Sequence, residues 1–131
     1  MTLPVPSVPV SWGELLDKLT ILAIKRVRIA DPAARCNVER EYEALSAMGA
    51  PALQVPVVAA LSQELRAVNE ALWEIEDAIR AEEAEGTFEG SFVALARSVY
   101  RRNDERATIK RRINDALGSD LVEEKSYWSA G

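Results

Sequence analysis

The chain is 131 residues long, 48% apolar and 28% charged, the composition of one folded domain rather than of a disordered segment. It has no histidine and one cysteine, which excludes Ser-His-Asp and Cys-His nucleophile systems, His-ligated or Cys-rich zinc, and internal disulfides. The net charge of −5 repels nucleic acid and anionic membrane at long range, and no apolar run approaches the roughly 20 residues of a membrane span.

Residues 1–10 read as an extended arm, because Pro4, Pro6 and Pro9 fix φ and push their predecessors out of the helical region. The arm has no basic n-region, so it is not a signal peptide. Together with the lone Cys36, this predicts a cytoplasmic protein.

A first helix is predicted from Trp12 to about Ile29. Ser11-Trp12-Gly13-Glu14 is a capping box, in which the Ser11 hydroxyl meets the N3 amide and Glu14 reaches back to the Ser11 amide. At 100° per residue Trp12, Leu15, Leu16, Leu19, Leu22, Ala23 and Val27 share one face. Glu14, Asp17, Lys18, Lys25 and Arg28 fall on the other, with Ile21 and Ile24 among them as a smaller second contact.

Asp31-Pro32 supplies a cap and an N1 proline for a short second helix that stops near Gly49. Ala50 to Pro56, with two prolines, reads as a connector. A third helix begins near Pro56. Its residues Val58, Leu61, Leu65, Val68, Leu72, Ile75 and Ile79 alternate three and four apart, the spacing of a coiled-coil seam roughly 40 Å long. Gly86 is a C′ stop and Thr87 a cap for a fourth helix, which ends at Gly118. Residues 118–131 read as a C-terminal tail, expected to be tied down by Tyr127 and Trp128.

So short a break between two long helices forces an antiparallel hairpin. That register sets Ile79 opposite Leu95, Ile75 opposite Val99, Asn69 near Arg106, and Trp73 near Tyr100. It also lays an acidic third helix along a basic fourth, so that each neutralises the other. The fold expected is an all-α bundle built on this hairpin, with two shorter N-terminal helices on one side. The hairpin is long for those two helices to cover. Ile21, Ile24 and the distal hairpin are therefore candidate surface for a second copy, and a homodimer is expected.

Polar residues interrupt the apolar faces of the hairpin at Asn69, Glu76, Tyr100, Asn103, Arg106 and Lys110. One reading is a pocket for a small phosphorylated or carboxylated ligand, walled by Trp73 and Tyr100 and clamped by Arg106 and Lys110. The other is a self-satisfied network that fixes helix register, as a buried Asn does in coiled coils. Glu14-x-x-Asp17 and Glu74-x-x-Asp77 each place two carboxylates one turn apart, the spacing with which all-helical pyrophosphohydrolases hold Mg2+. In a chain with 21 acidic residues such pairs arise by chance, so no resident metal or cofactor is expected. The basic run Arg101, Arg102, Arg111 and Arg112 reads as a solvated face rather than a nucleic-acid contact.

SWGELLDKLTIL, NVEREYEAL, VNEALWEIEDAIR, FVALARSVYRRNDERATIKRRIN and EEKSY together resemble an uncharacterised bacterial family of short helical proteins, a domain of unknown function. The resemblance implies a helical fold and carries no activity or ligand. The leading functional expectation is a non-catalytic interaction or regulatory module, with a protein partner. The alternative is an enzyme or binder of a small anionic metabolite at the polar cluster, Mg-dependent or not.

Overall fold

The computed structural model describes residues 1–124 and contains four helices: α1 Trp12–Arg28, α2 Pro32–Leu53, α3 Pro56–Glu85 and α4 Gly90–Leu117. The protein is an all-α bundle. Met1 to Val10 is an exposed arm without secondary structure, and no described helix is long and apolar enough to cross a membrane. Residues 125–131, which include Tyr127 and Trp128, lie outside the described residues.

Helix α1 starts as its capping residues require, with Ser11 Oγ accepting from the Glu14 amide at 3.1 Å. The reciprocal half of the box is not made, because the Glu14 carboxylate accepts from Lys110 instead. The helix α2 is not short. It runs through Gly49 and Pro51 to Leu53, so the expected connector at 50–56 shrinks to Gln54 and Val55. Gly49 is a contact rather than a stop, since a Cβ there would lie 2.5 Å from Leu19 Cδ1. Ala52 is 4% exposed in the core, so packing holds the last turn despite the two poor helix formers.

Two Schellman motifs end α3 and α4. At Gly86 (φ 71°) the Gly86 and Thr87 amides donate to the Glu83 and Glu82 carbonyls; at Gly118 (φ 59°) the Gly118 and Ser119 amides donate to Asp115 and Asn114. Thr87 thus belongs to the stop of α3. The cap of α4 moves to Glu89, which makes no side-chain cap bond.

The core lies at the proximal half of the α3–α4 hairpin. There Val58, Leu61, Leu65 and Val68 of α3 meet Ile109 and Ile113 of α4, with Leu15, Leu16 and Leu19 of α1 and Ala52 of α2 closing the cluster. The same seam is only half-buried at Leu72, Ile75 and Ile79, facing half-buried Phe92, Leu95 and Val99. At 30 residues α3 is about 45 Å long, and α1 at 17 residues about 25 Å, so the hairpin outruns its cover.

Helix α1 corrects the expected solvated face. Gly13, Asp17, Thr20 and Ile24 are all buried, at 4-3-4 spacing. They form a second inward stripe beside the leucines, while Val27, expected in the core, is 75% exposed. Ile24, at 2% exposure, is interior rather than surface for a second copy. The charge pairing of the long helices is corrected too. Among the described residues no ion pair joins α3 to α4; Arg106 and Lys110 of α4 pair with Asp17 and Glu14 of α1.

Candidate functional site

The polar cluster is assembled by the close approach of α1 to α4. A Cβ on Gly13 would sit 2.5 Å from the Lys110 carbonyl oxygen, so only glycine lets the two backbones come this near. The approach also satisfies the first amides of α1, which have no partner within their own helix. The Gly13 amide donates to Asn114 Oδ1 at 2.7 Å, and the Trp12 amide donates to Ser119 Oγ at 3.3 Å.

One turn further, Asp17 is the hub. Its side chain is 1% exposed and accepts a bidentate pair from Arg106, through Nε at 2.8 Å and through Nη2. Asn69 Nδ2 donates to Asp17 Oδ1 at 2.9 Å and to Thr20 Oγ1 at 2.8 Å. Thr20 Oγ1 donates in turn to the Asp17 carbonyl at 2.7 Å. Arg106 Nη1 reaches Asn103 Oδ1 at 3.4 Å.

Lys110 is the second cation, with its side chain 10% exposed. Its Nζ donates to Glu14 Oε2 and to Glu123 Oε2, each at 2.7 Å, and lies 3.9 Å from Asp17 Oδ2. Burial alone would lower its pKa. The hydrogen bonds to Glu123 and Glu14 and the field of Asp17 outweigh that and hold it above the ordinary lysine value. The Arg106 pKa is raised chiefly by its hydrogen bonds to Asp17.

Of the seven residues singled out in the sequence, five line one groove. Asn69, Trp73, Glu76, Asn103 and Arg106 surround a cavity of about 340 Å³ whose apolar wall is Ile21, Ile24 and Leu72. Lys110 lines an adjoining recess of about 200 Å³ with Glu14, Asn103, Arg106 and Glu123, so Asn103 and Arg106 border both spaces. Tyr100 joins neither. It is 54% exposed, and its hydrogen bond with Arg97 lowers its pKa. The expected aromatic wall is therefore Trp73 alone.

Of the paired carboxylates, Glu14, Asp17 and Glu74 face cations of the chain rather than a common metal site, and Glu14 and Asp17 share Lys110. Glu14 and Asp17 are held by Lys110 and Arg106, Glu74 pairs with Arg28, and Asp77 lies at the groove margin. Among the described residues no group of three or more acidic, His or Cys side chains is placed to hold a metal ion.

Chemically the cluster is a network of fixed hydrogen bonds in which each cation carries a carboxylate of the chain itself. Gly13, Thr20, Asn114 and Glu123 carry no site motif in the sequence, and Asp17 carries one only as half of the Glu14-x-x-Asp17 carboxylate pair. The signal available was the 4-3-4 stripe of small and polar residues on α1; no local pattern brings Glu123 to Lys110. No curated protein and no solved structure matches the chain. The model of the family described as "Family of unknown function (DUF6165)" matches residues 7–130, and the chain belongs to that family.

Proposed function

We propose that the protein is a non-catalytic interaction or regulatory module of the cytoplasm that self-associates through the distal half of the α3–α4 hairpin. The observation that carries this reading is the internal neutralisation of Arg106 and Lys110. Both candidate anion clamps already hold carboxylates of α1, and removing either partner of such a pair is costly. An anion bound through the same donor atoms would have to displace those carboxylates.

The uncovered hairpin supplies the surface. Ile75, Ile79, Leu95 and Val99 are half-buried, and near the tip Phe88 and Val93 are 55% and 51% exposed. A second hairpin laid along this stretch completes a four-helix arrangement of the kind that buries such a seam.

The groove at Trp73 favours one second reading, a small phosphorylated or carboxylated metabolite bound beside Arg106 and Asn103, with or without Mg2+. Differential scanning fluorimetry separates the two. The interaction-module reading expects no shift in Tm with nucleoside triphosphates or sugar phosphates in the presence of Mg2+. A saturable rise in Tm that is lost in Trp73→Ala overturns it.

A further inference from the structure

We infer that the groove beside Trp73 binds a free α-amino acid of the tyrosine type, with an aromatic side chain that ends in a hydrogen-bond donor. The inference rests on the second reading of that groove and deepens it, because the charges and shape there select a zwitterion from among phosphorylated and carboxylated ligands.

Arg106 is already committed, with Nε and Nη2 on Asp17 and Nη1 toward Asn103. The other ionisable side chains of the groove are Glu76, Asp77 and Arg80, and none of them makes an ion pair among the described residues. A phosphate dianion would face two carboxylates and one free guanidinium, and a simple amine would face that same guanidinium. A molecule with one charge of each sign satisfies both. Glu76 and Arg80 stand four residues apart on α3, so their Cβ atoms are roughly 5–6 Å from each other. One turn of helix thus offers an acceptor to an ammonium and a donor to the carboxylate beside it. Arg80 is exposed and Glu76 half-buried. A surface pair between them would stabilise little, so a ligand that engages both displaces nothing costly. Arg106 differs in that its partner Asp17 is buried.

The rest of the groove takes the side chain. Asn69, Trp73, Glu76 and Arg80 follow one another at 4-3-4 spacing along one face of α3. A ligand whose head lies at Glu76 and Arg80 therefore extends over Trp73, against Ile21 and Ile24 of α1. At the inner end Asn69 is 5% exposed, and its Nδ2 donates to Asp17 Oδ1 and Thr20 Oγ1. Because the Asp17 carboxylate can only accept, the orientation of the amide is fixed. Asn69 Oδ1 accepts from no donor among the described residues and is left for the groove that Asn69 lines. A phenol at the tip of the ligand supplies that donor. From Asn69 to Glu76 α3 rises roughly 10 Å, within the reach of a tyrosine hydrogen-bonded at both ends. The cavity of about 340 Å³ is near the lower end of small-molecule sites and suits one amino acid rather than a nucleotide.

The test titrates the full chain with L-tyrosine, N-acetyl-L-tyrosine, tyramine and a sugar phosphate, followed by 1H–15N correlation spectra. L-tyrosine should give saturable shifts at the Trp73 indole and the Asn69 side-chain amide. N-acetyl-L-tyrosine lacks the ammonium and tyramine the carboxylate, and each should bind at least about tenfold more weakly, the expected loss of a charge-assisted hydrogen bond. Arg80→Gln, at an exposed position, should weaken L-tyrosine by a similar factor and leave tyramine unchanged. Glu76→Gln should weaken L-tyrosine and leave N-acetyl-L-tyrosine unchanged. L-tyrosine that gives no saturable shift, that binds no better than its two derivatives, or that is insensitive to Arg80→Gln overturns the inference. Saturable binding of the sugar phosphate in place of L-tyrosine overturns it and keeps the groove as a ligand site, whereas binding of neither overturns the second reading as well.

Discussion

Replacing Arg106 by Met is the most informative single change in the interior. It keeps the aliphatic stem and removes the bidentate partner of a carboxylate that is 1% exposed. Truncating one member of a buried ion pair typically costs about 3–5 kcal/mol, because the remaining charge is left desolvated. Arg106 is 28% exposed on its side chain, so water can reach part of the gap, and Asn69 still donates to Asp17. The expected loss therefore lies near the lower bound, about 3 kcal/mol. For a chain of this size that corresponds to a fall in Tm of about 10–15 °C. Urea denaturation followed by far-UV circular dichroism measures it directly. Adding Asp17→Asn to the variant should recover part of the loss, since a neutral amide has no charge to desolvate, so the two changes will be non-additive. Arg102→Met, which breaks an exposed pair with Glu105, supplies the comparison and should cost less than about 1 kcal/mol. If Arg106→Met costs no more than Arg102→Met, Asp17 is not a structural hub and the internal-network account is wrong.

Gly13→Ala, usually a helix-stabilising change, should destabilise by about 1–3 kcal/mol because the new methyl meets the Lys110 carbonyl. Gly90→Ala, with open space around it, should instead stabilise by roughly 0.5–1 kcal/mol; equal signs for the two would refute the close approach of α1 to α4. Because the folded-state pKa of Lys110 is raised, its stabilising contribution is complete below the ordinary value of 10.5 and is lost as pH rises through the folded value. Unfolding free energy should thus decline on the alkaline side of 10.5, and Lys110→Met should show a shallower decline over the same window. Substituting Trp73 by Ala at the groove should leave oligomeric state unchanged, checked by size-exclusion chromatography, whereas changes at Phe88 and Val93 should not.

The parts of this fold that were legible are those set by local spacing. The alternation from Val58 to Ile79 fixes α3 and its inward face, and Gly86 and Gly118 stop their helices because the αL conformation is cheap only for glycine. The register placing Asn69 near Arg106 follows from the hairpin and is seen in their shared hold on Asp17. What was hidden depends on contacts distant in sequence. Gly49 looks like a stop until Leu19 is found packed against it. Asp17 sits among Glu14, Lys18 and Lys25 and reads as solvated, because only the arrival of Arg106 makes its burial tolerable. Ion pairing between α3 and α4 was expected from their opposite charge, yet the buried cations of α4 turn toward α1. Glu123 reaches Lys110 through the path of the tail, which no helical period encodes.

The self-association claim is tested most directly by multi-angle light scattering of the full chain at tens of micromolar, alongside Phe88→Glu/Val93→Glu. With a chain mass of 14.4 kDa, the account predicts a species of twice that mass for the unaltered protein and 14.4 kDa for the double variant. A monomeric mass for the unaltered protein, or a dimer that survives both charges at the hairpin tip, would contradict it.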